Sequence, residues 1–142
     1  PEKFDEPFEI TMANPSPIRM STDPELLKVN AGSSASLILK LRMATNWHVN
    51  SNMPGNEYAI PISFQTLTDG VVITPEWPEG VTLMSAGVMV NVFGGVVEIP
   101  LTISTSTQVN GPIKISVRWQ ACNADTCLEP ETNRIPCTIS VE

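Results

Sequence analysis

The chain has 142 residues, 42% hydrophobic and 16% charged, with a formal net charge of −7. A chain of this length buries roughly two-thirds of its unfolded surface, so it has room for a true core, and its composition excludes a disordered polymer. The acidic balance excludes the cationic face that nucleic acid or anionic lipid requires. The uncharged stretch Val81–Val97 is interrupted by Ser, Thr, Asn and Gly, and it falls short of the about 20 apolar residues of a transmembrane span.

Thirteen prolines spread along the chain leave little room for long helices. No signal peptide is visible at Pro1, and the chain reads as a mature fragment. Residues Pro1 to Pro17 form an extended lead-in, with a weak strand signal at Phe8–Met12. A short strand is expected at Leu26–Val29, then a turn at Asn30-Ala31-Gly32. Leu37, Leu39, Leu41 and Met43 alternate with Ser36, Ile38, Lys40 and Arg42, the period of a half-buried strand. A weaker strand follows at Trp47–Asn50, and Tyr58, Ile60, Ile62 and Phe64 alternate across another. Asp69-Gly70 turns the chain into a strand near Val71–Thr74, and Pro78-Glu79-Gly80 turns it again. Leu83 to Phe93 reads as a hairpin, closed at Gly94-Gly95. Val97, Ile99, Leu101 and Ile103 define the next strand; after Asn110-Gly111-Pro112, Ile113, Ile115, Val117 and Trp119 define another. Ile135, Cys137, Ile139 and Val141 define the last. Many short strands separated by turn residues point to an all-β, immunoglobulin-like antiparallel β-sandwich, taken as one domain over 1–142. The antibody pattern of two distant Cys around a Trp is absent.

The three cysteines differ in setting. Cys137 shares the phase of Ile135 and Ile139 and is expected to point into the core as a small hydrophobe. Cys122 and Cys127 bracket Asn123-Ala124-Asp125-Thr126, a polar segment that favours a tight turn and can bring the sulfurs together. The residues leave two readings open. One is a structural clasp, although so short a loop stabilises by only about 2 kcal/mol in the polymer estimate. The other is a reversible pair on an exposed turn, open to a partner thiol. Asp125, Glu129 and Glu131 are near in sequence; carboxylates disfavour a thiolate, so the isolated dithiol is expected to react slowly until a partner docks. A third reading, a zinc site of Cys122, Cys127, Cys137 and His48, lacks the usual paired Cys spacing.

The segment from Val117 through Arg118-Trp119-Gln120-Ala121-Cys122 to Cys127-Leu128-Glu129-Pro130-Glu131-Thr132 resembles the N-terminal domain of the transmembrane thiol–disulfide interchange protein DsbD. The pattern is a strand ending in aromatic-Gln-small-Cys, a polar turn, a second Cys and a Pro-containing stretch. Trp47-His48-Val49-Asn50-Ser51-Asn52 with Pro54-Gly55 is similar to the family's aromatic-His stretch, so the resemblance runs from about Leu26 to Val141. It implies an immunoglobulin-like domain of the bacterial periplasm, either alone or as part of a membrane protein. Such a domain, monomeric and free of metal and organic cofactor, takes electrons from a thioredoxin-like domain. It passes them to oxidised periplasmic thiol proteins such as disulfide isomerases and the thioredoxins of cytochrome c biogenesis. Carried over, Cys127 is the sulfur that engages the partner and Cys122 resolves the mixed disulfide. The family's cap loop, acidic and aromatic, would fall in Leu83–Phe93, which holds no acid here; Phe93 or Met89 is expected to shield the sulfurs. The alternative is a β-sandwich protein-binding module with a structural disulfide.

His48, the one histidine, is either a proton acceptor for a thiol or a structural neighbour of Trp47. The six methionines suit copper(I) as thioethers, but they are dispersed and fit core or loop positions.

Overall fold

The structure is a computed structural model that describes residues 6–142. Among them there are strands and no helix. In chain order the strands are β1 (Ile18–Asp23), β2 (Leu26–Val29), β3 (Ser34–Met43), β4 (His48–Asn50), β5 (Ser63–Thr66), β6 (Val71–Pro75) and β7 (Val81–Ser85). They continue with β8 (Val88–Gly94), β9 (Val96–Thr105), β10 (Ile115–Trp119), β11 (Ala121–Cys122), β12 (Glu131–Arg134) and β13 (Thr138–Val141). One sheet runs β1-β3-β9-β6, a second β12-β10-β5, and a third β11-β4-β8-β7. All of these pairings are antiparallel; β13 and β2 add a short parallel pair. The architecture is the immunoglobulin-like β-sandwich expected from the alternation.

The centre of the core comes from period-2 patterning. Leu37 lies opposite Leu101 and Leu39 opposite Ile99 across β3 and β9. Opposed residues share a sheet face, and these four are almost wholly buried. Facing them, Ile115, Val117 and Trp119 come from β10, Ala121 from β11, Val49 from β4 and Phe93 from β8. The Trp119 indole N–H donates to Asn133 Oδ1 at 2.7 Å, which satisfies the one polar group the ring carries inward.

The strand expected over Tyr58–Phe64 forms only from Ser63 onward. Pro61 has no N–H to give a ladder, and Asn56 folds the preceding chain into a turn, accepting from Tyr58 N–H on its side chain and from Ala59 N–H on its carbonyl. The strand signal at Phe8–Met12 is also not realised: Thr11 and Asn14 close a turn there, and Met12 is fully exposed. Phe8 is buried instead, with the guanidinium carbons of Arg19 and Arg42 at 4.2 and 4.7 Å from its ring centroid. Residues 1–5 of the lead-in lie outside the described residues. Strands β1 and β12 carry no clean apolar alternation and exist through pairing with β3 and β10. Cys137 packs against the core from its edge rather than within it. It is half-buried just before β13, its thiol donating to Pro24 O at 3.3 Å; burial and the nearby Glu25 carboxylate push its pKa up, against hydrogen bonds from Thr22 and Leu27.

Truncation of the fully buried Leu39 to Ala is expected to cost about 2–5 kcal/mol. In urea unfolding this reads as a lowered midpoint at unchanged m; a loss below about 1 kcal/mol would contradict tight packing between β3 and β9.

Candidate functional site

The cysteine segment begins where one extended run changes sheets. Strand β10 pairs with β5 and β12, whereas β11, one residue later, pairs with β4. Gln120 is the residue between them. Its Oε1 accepts from Asn50 Nδ2 at 2.9 Å and from Ile60 N–H at 3.2 Å, and its Nε2 donates to Leu128 O at 3.2 Å. Its carbonyl accepts from Asn50 N–H. One amide therefore ties the start of the cysteine turn to its end and to the loop before β5. Asn50, itself buried, completes the node by donating to Ile60 O.

Beyond Gln120 the chain makes a tight hairpin. Leu128 N–H donates to Ala121 O and Asn123 N–H to Thr126 O, so Cys122 and Cys127 occupy the opposed position between these bonds. Side chains at such a position come close together, and the two residues form a disulfide with a Cα–Cα distance of 4.0 Å. Asn123 Oδ1 accepts from the N–H groups of Asp125 and Thr126 at 2.9 Å each. This is the local bonding for which Asn is favoured in turns.

The two sulfurs are not equivalent. Cys122 is 2% exposed, whereas Cys127 is an exposed residue. A groove of about 260 Å³ holds both, walled by Asn50, Tyr58, Val88, Val90 and Gln120 among others and lined by no charged side chain. Tyr58, highly exposed, stands at its rim.

The hairpin of β7 and β8 props the turn from below. Its two-residue loop, Ala86-Gly87, has φ of +47° and +87°, the left-handed pair a tight hairpin of this hand requires. Gly tolerates this freely, whereas Ala does so at a cost of about 1 kcal/mol. Ala86 N–H donates to Ala124 O at 3.0 Å, and Ser85 Oγ donates to Asn123 O at 3.2 Å. Ser85 Oγ also lies 2.8 Å from His48 Nε2. A carbonyl can only accept, so the Ser85 hydrogen is committed to Asn123 and Nε2 carries the proton shared with Ser85. His48 is buried and stands directly opposite Cys122 across β4 and β11. Burial pushes its imidazole below the ordinary pKa.

Of the residues singled out from sequence, the structure gathers Cys122, Cys127, His48 and Asp125 around the turn. Asp125 lines a second, larger groove together with His48, Trp47 and Leu83. Phe93 does not shield the sulfurs. It pairs with Val49 on the core face and stacks on Trp77 with centroids 6.5 Å apart, whereas Cys122 points to the other face of the sheet. Met89 is exposed and shares the phase of Phe93, not that of Val88 and Val90, which line the groove. The Leu83–Phe93 stretch meets the cysteine turn through backbone and hydroxyl groups of Ser85 and Ala86 instead. Sequence reading gave Ser85, Asn50, Gln120 and Tyr58 no role at the site; Asn50 and Gln120 stand in the stretches that carry the resemblance, whereas Ser85 and Tyr58 carried no such signal. Among the described residues no group of His, Cys, Asp and Glu is arranged to hold a metal ion.

Comparison with known proteins agrees with this geometry. The family model for the N-terminal region of thiol:disulfide interchange protein DsbD matches residues 20–138. No curated protein gives a significant match. Among solved structures, the N-terminal periplasmic domain of ScsB from Proteus mirabilis superposes with a TM-score of 0.62 at 13% identity, covering 85% of this chain. This chain spans only 47% of that one. The DsbD N-terminal domain of Neisseria meningitidis, in its reduced form, gives a TM-score of 0.49 at 17% identity, with 78% of each chain covered. With the family model matching most of its length, the disulfide-bearing turn included in the matched residues, the chain belongs to the DsbD N-terminal domain family.

Proposed function

We propose that this chain is an extracytoplasmic thiol–disulfide exchange domain, a component of a protein disulfide reductase. It takes electrons from a thioredoxin-like domain and passes them to oxidised thiol proteins through Cys122 and Cys127, as a single monomeric domain needing no cofactor. The observation that carries the reading is the asymmetry of the pair: Cys127 is an exposed residue on the returning limb of the turn, Cys122 opposite it is buried, and both line one groove without a charged side chain. Exchange proceeds by attack of a thiolate on one sulfur of a disulfide. An incoming thiolate reaches Cys127, the S–S bond breaks, and Cys122 leaves with the electron pair. A second thiol of the donor releases the dithiol. In the onward direction Cys127 attacks the oxidised partner, and Cys122 closes back onto Cys127 to expel the reduced product. The periplasmic domain of ScsB, similar in fold, supports an extracytoplasmic location, as does a disulfide in a domain large enough to do without one. The oxidised recipients in this reading include the thioredoxins of cytochrome c biogenesis.

The competing role, a binding module with a passive clasp, is disfavoured by the hairpin itself. The backbone bonds at Ala121–Leu128 and Asn123–Thr126 hold the turn without the disulfide, and a loop this short confers only about 2 kcal/mol.

Three outcomes are expected. Cys122→Ala should accumulate a mixed disulfide with a thioredoxin-like domain through Cys127, seen by mass spectrometry, and Cys127→Ala should trap none; no adduct with either variant favours the passive clasp. Reduction should leave the backbone amide spectrum outside the turn unchanged and lower stability by no more than about 2 kcal/mol; cooperative unfolding on reduction would refute a relay. After reduction, brief alkylation should label Cys127 well before the half-buried Cys137, whose thiol pKa is raised by its surroundings. Equal or reversed labelling would remove the accessibility argument.

A further inference from the structure

The exchange cycle leaves one demand unmet by the cysteines alone. To close onto Cys127, Cys122 must act as a thiolate, because the thiolate is the nucleophile. Yet Cys122 is almost wholly buried, and burial disfavours the charged sulfur. Nothing in the turn supplies a cation to offset this: its segment is Asn123-Ala124-Asp125-Thr126.

A proton acceptor stands at the required place. His48 is directly opposite Cys122 on the same sheet face, where Cβ atoms are about 4.5–5.5 Å apart. Its Nε2 is 2.8 Å from Ser85 Oγ, and Ser85 is a buried hydroxyl that lines the groove holding both sulfurs. A hydroxyl donates and accepts at once, so Ser85 is able to pass a proton between the groove and the imidazole. We infer that His48, acting through the Ser85 hydroxyl, takes the proton from the Cys122 thiol as that sulfur closes onto Cys127. The inference rests on the exchange reading above.

The step balances. The Cys122 thiol gives its proton to Ser85 Oγ while the Ser85 hydrogen passes to His48 Nε2, yielding a thiolate and an imidazolium. The thiolate attacks Cys127 Sγ, the Cys122–Cys127 bond forms, and the bond from Cys127 to the partner sulfur breaks. The electron pair leaves with the partner thiolate, so the cysteine pair is oxidised by two electrons and the partner disulfide is reduced. The imidazolium returns its proton to solvent, which protonates the leaving thiolate. For this, Nε2 must be free of its proton before the step. The dithiol form therefore holds His48 with the proton on Nδ1, and the disulfide form holds it on Nε2, where Ser85 is committed to Asn123 O. The titratable groups facing His48 are Cys122 across the strand pair and Asp125 in the shared groove. The neighbours from β7 and β8, Val81, Leu83, Val92 and Gly94, are uncharged. A depressed imidazole pKa keeps the acceptor neutral at neutral pH.

In this role His48 is a positioning residue, and the test must separate it from a structural one. The reduced protein is mixed with oxidised glutathione, quenched at intervals and weighed. Gain of glutathione at Cys127 and its release by Cys122 are thereby timed as separate steps. His48→Gln should form the adduct at the wild-type rate within about twofold and release it at least about tenfold more slowly, the low side of general-base contributions. The fall in release rate on acidification through the His48 titration should be present in the wild type and missing in the variant. Equal release rates and pH profiles would overturn the inference while leaving the exchange reading intact. Failure of the wild type itself to form or release the adduct would sink both. Should His48→Gln not fold, nitrogen-detected spectra of the wild-type ring decide: a change of tautomer between disulfide and dithiol forms supports the relay, and the same tautomer in both overturns it.

Discussion

The site depends on a strand that changes sheets at Gln120. Strand β10 must serve the core through Ile115, Val117 and Trp119, and β11 must deliver Cys122 to a different sheet, with one residue to make the change. A run that leaves its ladder exposes backbone groups that the interior cannot leave unpaired. The Gln120 side chain answers this by standing in for a strand: its oxygen receives Asn50 and Ile60, and its nitrogen caps Leu128. Half-satisfied, such a node would be worse than an apolar contact; here Asn50 and Ile60 occupy the oxygen and Leu128 the nitrogen of the amide. The cysteine turn is consequently anchored at both of its feet, while Ala86 and Ser85 hold Ala124 and Asn123 nearer its tip.

That anchoring explains why the two sulfurs differ. Cys122 lies next to Ala121, which is fully buried, and alternation places the two on opposite faces of the short strand. It is held against the sheet by its neighbours across β4. Cys127 is on the returning limb, where no further strand covers it. A pair built this way presents one atom to the outside and keeps the other in a setting the protein controls, the arrangement that ordered, stepwise exchange needs.

The hairpin of β7 and β8 contributes support where a cap was expected. Its loop accepts the cost of Ala at positive φ, and the strained Ala86, with its neighbour Ser85, bonds the cysteine turn. Local strain retained beside a reactive group is a recurring mark of functional sites. The aromatic residue of this stretch went instead to the core, because Phe93 stands in phase with Asn91 and Met89 and out of phase with the valines that face the groove.

The fold class was legible because alternation of Leu37, Leu39 and Leu41, or of Val97 to Ile103, is a local property imposed by the pleat of a single strand. The turn residues and the pairing of Cys122 with Cys127 were legible for the same reason: both are decided within a few residues of chain. Reading failed where a strand is held by its partner, as in β12, which has no apolar residue, and where proline and an Asn turn silenced the alternation at Tyr58 and Ile60. What the sequence by itself determined is therefore the sandwich and the clasp. Only the tertiary structure decided which sulfur is open, that Phe93 turns away onto Trp77, and that His48 meets Ser85, since these depend on contacts between separate segments, which no local pattern encodes.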